Sequence, residues 1–194
     1  KKTTALGPIC VASAVNEMER WDVEVIDENN LRRYGPKSTS GGADHEFLQR
    51  LRPADVVGLY GGLTSTIPRL YEIARFYKNR GVLTIAGGQH FVEDNIAEAL
   101  SSGIDYVVIG EGEETIRELL DALQGKQEIG KVKGITYLSN GQVMRTLKRE
   151  PLTDFDQLPS PDFSLLRYAE VKIYPVERIR GCGMDCEFCT VKGK

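Results

Sequence analysis

The sequence has little of what would place it in several broad classes of protein. No apolar run in its 194 residues approaches the roughly 20 residues that a membrane-spanning helix needs. The net charge is only −3, which gives no electrostatic basis for nucleic acid or an anionic membrane as the main partner. No internal repeat or low-complexity tract is present, which excludes a repeat architecture. The remaining composition, 41% hydrophobic and 27% charged, is ordinary for a globular domain with its own core.

Strand-like and helix-like segments alternate over the first two-thirds of the chain. Short apolar segments typical of strands lie at 22–27, 55–60, 82–86 and 106–109. Segments with helical periodicity lie at 5–20, 44–51, 67–80, 93–102 and 114–124. Repeated units of this kind predict a parallel sheet with helices on both faces, a doubly wound, flavodoxin-like or Rossmann-like α/β domain at residues 1–125. Ligands of such folds bind at the carboxyl ends of the strands, where glycine-rich turns lie in this sequence.

The chain changes character after this domain. Asn140-Gly141 between two β-prone runs predicts a β-hairpin, which we place at residues 126–148 as an appendage. Prolines and acidic residues predict an extended linker at 149–170. The segment from Val171 to Ile179 is β-prone again and runs directly into a cluster of cysteines.

Both ends of the sequence look cut. The chain opens with a loop and a helix where a doubly wound domain opens with a strand, and it stops shortly after Cys189. We therefore expect this chain to be part of a longer protein. No secretory leader is recognisable at Lys1-Lys2-Thr3-Thr4, which predicts a cytoplasmic location if this is the true start.

Three of the four cysteines, Cys182, Cys186 and Cys189, follow the spacing C-x3-C-x2-C. Three thiolates can hold three irons of a 4Fe–4S cluster and leave the fourth iron open to another ligand. A structural zinc site takes four protein ligands, and no fourth cysteine or histidine lies near this motif in the sequence. The motif therefore predicts an iron–sulfur site rather than a zinc knuckle.

This motif, with Phe188 just before the last cysteine and Glu177-Arg178-Ile179-Arg180-Gly181 before the first, resembles the radical S-adenosylmethionine superfamily. The resemblance implies that residues 171–194 are the first strand and cluster loop of a catalytic barrel, the rest of which lies outside this chain. It implies that S-adenosylmethionine chelates the open iron and is cleaved to a 5′-deoxyadenosyl radical. On that basis we expect an enzyme parent, and we expect this chain alone to be inactive, with the barrel of the same polypeptide as its partner.

The α/β region resembles the cobalamin-binding domain that precedes the barrel in many such enzymes. The resemblance implies that its glycine-rich turns contact the cofactor: Gly61, Gly62, Leu63, Thr64, Gly87, Gly88, Gln89, His90, Gly110, Glu111 and Gly112. The classical D-x-H-x-x-G element is altered, since Lys2 and Thr4 stand at the Asp and His positions and only Gly7 is kept. Two interpretations stay open: cobalamin bound without a histidine ligand, or a pocket that has lost the cofactor.

The turns differ in the ligand that their residues suit. Gly61-Gly62 before Thr64 suits a phosphate at a helix N-terminus, although a simple capped turn explains the same residues. Glu111 and Glu113 would repel a phosphate, so we expect their loop to contact the barrel instead. His90 could reach a ligand, although a lone histidine at a strand end is more often structural.

A different class of function, a non-catalytic cobalamin sensor or carrier, is the alternative. The cysteine motif argues against it, because a sensor has no need of an open cluster site. A signalling receiver is excluded, because Tyr60-Gly61 stands where its acceptor aspartate would be. Methylation, ring formation and rearrangement share the same motif, so the sequence predicts no particular substrate.

Overall fold

The computed structural model describes residues 3–39, 41–178, 180–181, 184 and 186–187. The elements in chain order are α1 (Leu6–Asn16), β1 (Val25–Ile26), α2 (Glu28–Tyr34), α3 (His45–Leu51), β2 (Val56–Tyr60), α4 (Ile67–Lys78), β3 (Leu83–Gly87), α5 (Ile96–Ser101), β4 (Tyr106–Val108), α6 (Glu113–Leu123), β5 (Ile135–Ser139), β6 (Gln142–Arg145) and β7 (Leu166–Arg167). Among the described residues, none of these helices combines the length and the apolar character needed to cross a bilayer.

The chain divides into two compact units. Residues 1–54 and 156–178 form the first, and residues 55–155 and 179–194 form the second. This division differs from the expected segments, because residues of the predicted linker fold with the start of the chain.

The second unit contains the main sheet, with strand order β2-β3-β4-β5-β6. Strands β2, β3 and β4 are parallel, as the alternating pattern predicts, with Val56 opposite Leu83 and Ile85 opposite Tyr106. Helices α4 and α5 bury their apolar faces in one core, which includes Leu70, Ala74 and Leu100. Pro68 lies in the first turn of α4. Backbone N–H groups in the first turn have no carbonyl partner within the helix, so a proline there costs no hydrogen bond. The α/β fold predicted from the sequence is confirmed.

The predicted hairpin is present, but it is not an appendage. Asn140 and Gly141 both have positive φ (51° and 78°), the conformation that a two-residue turn of this kind requires. Strand β5 pairs antiparallel with β4, so the hairpin extends the parallel sheet by two strands. Strand β5 begins with the apolar residue Ile135, which is 1% exposed and packs into the sheet. Strand β6 forms the exposed edge of the sheet, and all of its residues are exposed.

The first unit is built around α1 and a short parallel strand pair. The strand predicted at 22–27 is reduced to β1, because its partner β7 is itself only two residues long. Leu31, Ala43 and Leu48 form a small core beneath this pair. The backbone N–H of Asp162 donates to the Ser13 hydroxyl at 2.8 Å, which ties the proline-rich segment to α1.

Residues 171–178 form no strand, although their sequence is β-prone. Ile173, Tyr174 and Val176 are 61%, 57% and 90% exposed. A β-prone segment becomes a strand only when a neighbouring strand accepts its backbone hydrogen bonds, and the described residues supply none to this segment.

Candidate cofactor-binding site

The turns after β2 and β3 meet at the carboxyl edge of the sheet. The N–H of Gly61 donates to the carbonyl of Gly87 at 2.8 Å, and the N–H of His90 donates to the carbonyl of Gly61 at 2.9 Å. These backbone bonds bring together two of the three groups of predicted site residues. The parallel register explains the approach, since Tyr60 lies opposite Gly87 and both strands end there.

Glycine is required where the two turns touch. Gly88 has φ +119°, and a Cβ at this position would lie 2.7 Å from the carbonyl oxygen of Gly61. A Cβ on Gly61 would lie 2.6 Å from the ring of Phe91. Any larger residue at either position would therefore force the turns apart.

His90 is held from both ring nitrogens. Thr64 Oγ1 lies 3.3 Å from Nδ1, and Asn95 Nδ2 lies 3.2 Å from Nε2. The same Asn95 amide nitrogen donates to the His90 carbonyl at 2.5 Å, and the Asn95 oxygen accepts from the N–H of Val92 at 3.0 Å. Because an amide nitrogen can only donate, Nε2 of His90 is the acceptor in its contact with Asn95.

A cleft of about 390 Å³ opens beside this network. It is lined by Gly62, Leu63, Thr64, Gln89, His90, Val92 and Asn95. Leu63, which is 67% exposed, and Val92 supply apolar side chains to this lining, beside the polar side chains of Thr64, Gln89 and Asn95. Such a mixture is typical of sites that take a cofactor by apolar contact and orient it by a few polar groups. Sequence reasoning missed Asn95 and Val92, which follow the glycine pair and carry no motif of their own.

The third predicted turn lies elsewhere. Gly110, Glu111 and Gly112 do not line the cleft. The Glu111 carboxylate accepts the N–H of Leu152 at 2.7 Å, and Glu113, the first residue of α6, pairs with Arg180. These contacts go to other segments of the same unit.

Thr4, at the position of the classical axial histidine, is structurally engaged. It is 6% exposed, and its hydroxyl donates to Asp27 Oδ2 at 2.8 Å. Asn30 donates to the same carboxylate oxygen at 3.0 Å. Gly7 lies in α1, and Lys2 lies outside the described residues.

The proposed cluster ligands fall mostly outside the described residues. Cys186 is described and is partly exposed, whereas Cys182, Phe188 and Cys189 are not described. Within the part of the chain that is described, His, Cys, Asp and Glu side chains form no group of three that could hold a metal ion.

Comparison with known families and proteins gives a consistent result. The B12 binding domain family matches residues 2–120. An uncharacterized methyltransferase of Pyrococcus horikoshii is 33% identical in an alignment of 193 residues that covers 95% of this chain and 40% of that protein. The anaerobic magnesium-protoporphyrin IX monomethyl ester cyclase of Synechocystis sp. is 27% identical in an alignment of 187 residues that covers 89% of this chain and 35% of that protein.

Among solved structures, the cobalamin-dependent S-adenosylmethionine radical enzyme OxsB, with aqua-cobalamin and S-adenosylmethionine bound, superimposes with a TM-score of 0.61. It is 20% identical, and the match covers 82% of this chain and 21% of that one. At this identity the likeness establishes the shared fold. The chain therefore spans less than half of the length of each of these proteins.

Proposed function

Because this chain belongs to the B12 binding domain family, we propose that it binds cobalamin in the cleft between the turns after β2 and β3. The proposal rests on the close contact between Gly61 and Gly88, which leaves no room for a side chain at either position. It leaves bare backbone at the carboxyl edge of the sheet, where ligands of such folds bind. The cleft beside it combines apolar borders with polar groups that could fix the orientation of a large cofactor.

Three residues that line the cleft, Thr64, Gln89 and His90, would contact the cofactor. Thr64 and Gln89 line the cleft and can form hydrogen bonds with polar groups of cobalamin. His90 would contact the cofactor through its ring edge, because both of its nitrogens already have protein partners. When bound, cobalamin supplies a cobalt centre that can carry a methyl group. The protein's part is to orient the cofactor and to limit its exposure to water.

We further propose that the parent protein is a cobalamin-dependent radical S-adenosylmethionine enzyme of the methyltransferase type. Two observations support this: the cysteine motif at 182–189, and the similarity to the Pyrococcus horikoshii methyltransferase. In this proposal residues 1–125 form the cobalamin-binding region, the hairpin at 126–148 extends its sheet, and residues 149–170 lead on to the barrel. Residues 171–194 begin the catalytic barrel, and Cys182, Cys186 and Cys189 hold a 4Fe–4S cluster that binds S-adenosylmethionine.

Cobalamin binding is tested by titrating the purified chain with hydroxocobalamin. We expect a change in the visible spectrum and co-elution of the cofactor with the protein on gel filtration. Gly88→Ala should abolish both signals, because the new methyl group separates the two turns. Gly58→Ala is the matched control, since Gly58 lies in β2 before the turn and its Cβ would meet no atom within 4 Å. Equal binding by the two variants would contradict this placement of the site.

The cluster is tested separately by anaerobic reconstitution with iron and sulfide. We expect iron–sulfur absorption in the unaltered chain and its loss when any one of Cys182, Cys186 and Cys189 is replaced by alanine. Replacement of Cys10, which lies buried in α1, should leave the absorption intact. We expect no 5′-deoxyadenosine from this chain alone. Uptake of zinc instead of iron would refute the proposed cluster.

A further inference from the structure

Glu113, at the first position of α6, is a buried carboxylate. The residue is 5% exposed, although glutamate is rarely buried without a partner. Removing a carboxylate from water is costly unless a cation and hydrogen bonds replace the lost hydration. The N-terminus of the helix offsets part of this cost. The remainder must come from a specific partner.

That partner is Arg180, which is 67 residues away in the sequence. Its two terminal nitrogens donate to the two carboxylate oxygens of Glu113, at 2.5 Å and 3.2 Å. The Arg180 side chain is itself only 19% exposed, and its guanidinium carbon lies 5.2 Å from the centre of the Phe155 ring. Paired donors and acceptors of this kind form the strongest class of side-chain hydrogen bond and fix orientation as well as distance.

The neighbouring carboxylate reinforces this arrangement. Glu111 Oε1 lies 3.9 Å from Arg180, and its other oxygen accepts the backbone N–H of Leu152 at 2.7 Å. Glu111 in the loop before α6 and Glu113 at the first position of the helix therefore contact two separate segments, at Leu152 and at Arg180. One of those segments leads into the cysteine motif, since Arg180 stands two residues before Cys182.

We propose that Glu113 and Arg180 are positioning residues for the cysteine motif. The ion pair anchors the chain at Arg180, two residues before the first cysteine of the motif. A site of this kind gains from such support because less conformational freedom is lost when the metal binds. The role of the thiols as cluster ligands rests on the proposed function, whereas the anchoring itself does not.

The anchoring is tested on the reduced, metal-free chain by the rate at which iodoacetamide alkylates Cys186, measured by mass spectrometry. Glu113→Gln keeps the size of the side chain but removes its charge, and we expect the rate to rise by about tenfold. Arg180→Lys should give a smaller rise, because lysine keeps the charge but cannot form the two-pronged contact. Glu114→Gln is the matched control, since this adjacent, more exposed glutamate pairs with Arg149 instead.

Two internal references separate positioning from general loosening of the fold. Alkylation of the buried Cys10 and amide exchange across β2, β3 and β4 should be unchanged in Glu113→Gln. Glu113→Gln and Arg180→Gln each remove the same ion pair, so their effects should not add. The double variant Glu113→Gln/Arg180→Gln should therefore be alkylated at Cys186 no faster than the faster of these two single variants. At limiting iron, Glu113→Gln should also develop less iron–sulfur absorption than Glu114→Gln.

Either of two results would overturn the inference. One is an alkylation rate at Cys186 that is the same in Glu113→Gln as in Glu114→Gln. The other is that, in Glu113→Gln, the alkylation of Cys10 and the amide exchange of β2, β3 and β4 rise as much as the alkylation of Cys186. Because alkylation requires neither cobalamin nor iron, it judges the ion pair alone. If the unaltered chain takes up no iron–sulfur cluster, the proposed function fails while the alkylation rates still decide the anchoring.

Discussion

Gly88→Ala is the substitution whose consequence the structure defines most closely. The new Cβ would lie 2.7 Å from the oxygen and 2.8 Å from the carbonyl carbon of Gly61, and the backbone would keep a φ of +119° that L-residues rarely adopt. The backbone conformation alone costs about 1–3 kcal/mol. Relief of the clash requires Gly61 to move, although its N–H and its carbonyl are both hydrogen-bonded to the second turn.

The expected loss follows from adding these two effects. Breaking one or both backbone hydrogen bonds costs about 1 kcal/mol each, so the free energy of unfolding should fall by about 2–5 kcal/mol in all. For a chain of this size the thermal midpoint should fall by roughly 4–20 °C. Hydroxocobalamin binding should be lost at temperatures where the variant is still folded.

Two other glycines separate the contributions. Gly110 has φ +89° but open space around its Cβ position, so Gly110→Ala should show the conformational cost alone, about 1–2 kcal/mol. Gly87→Ala has neither problem and should stay within about 0.5 kcal/mol of the unaltered chain.

Thermal unfolding followed by far-ultraviolet circular dichroism gives the order of the three variants. The expected order of stability is Gly87→Ala, then Gly110→Ala, then Gly88→Ala. If Gly88→Ala is as stable as Gly87→Ala, the close approach of the two turns is wrong, and the argument for the cleft as the cofactor site falls with it.

Three other predictions concern stability and use chemical or thermal unfolding. Tyr71 is 5% exposed and its hydroxyl has no hydrogen-bond partner among the described residues, so Tyr71→Phe should leave stability unchanged or raise it by about 1–3 kcal/mol; a clear loss would show a missed partner. Burial raises the pKa of the Tyr106 hydroxyl, so with rising pH the unfolded chain loses the hydroxyl proton before the folded chain does. The free energy of unfolding should therefore be constant up to about pH 10, the ordinary pKa of tyrosine, and should fall at higher pH. In Tyr106→Phe this fall should be smaller. The test is the urea midpoint of the unaltered chain and of Tyr106→Phe, measured below and above about pH 10. An equal fall of the midpoint with pH in both proteins would contradict this prediction. Arg149 is 9% exposed at its side chain and donates to Thr115 at 2.7 Å while pairing with two glutamates of α6, so Arg149→Ala should cost about 2–4 kcal/mol. The control Arg69→Ala, which breaks a more exposed pair within α4, should cost less than about 1 kcal/mol, and similar losses in the two variants would refute the distinction.

Local signals in the sequence predicted much of the second unit. The order of strands and helices from 55 to 124, the hairpin turn at Asn140-Gly141 and Pro68 in the first turn of α4 all correspond to features of the structure. Each depends on a property of one or a few adjacent residues: a positive φ, a proline in the first turn of a helix, or a period of apolar residues.

The contacts that join distant segments could not be predicted in this way. Asn95 reaches His90 through a short helical turn with no motif, and Glu113 finds Arg180 across 67 residues. The pairing of β1 with β7 and the addition of the hairpin to the parallel sheet also join separated segments.

The sequence by itself therefore determined the α/β class, the glycine-rich turns at the strand ends and the cysteine spacing. The tertiary structure decided which turns share a cleft, that the acidic loop at 110–113 lies outside it, and which arginine neutralises its buried glutamate. The physical reason is that backbone preferences act over a few bonds and are visible in neighbouring residues. The pairing of a buried charge depends instead on the whole chain, because only the folded core determines which groups lose water together.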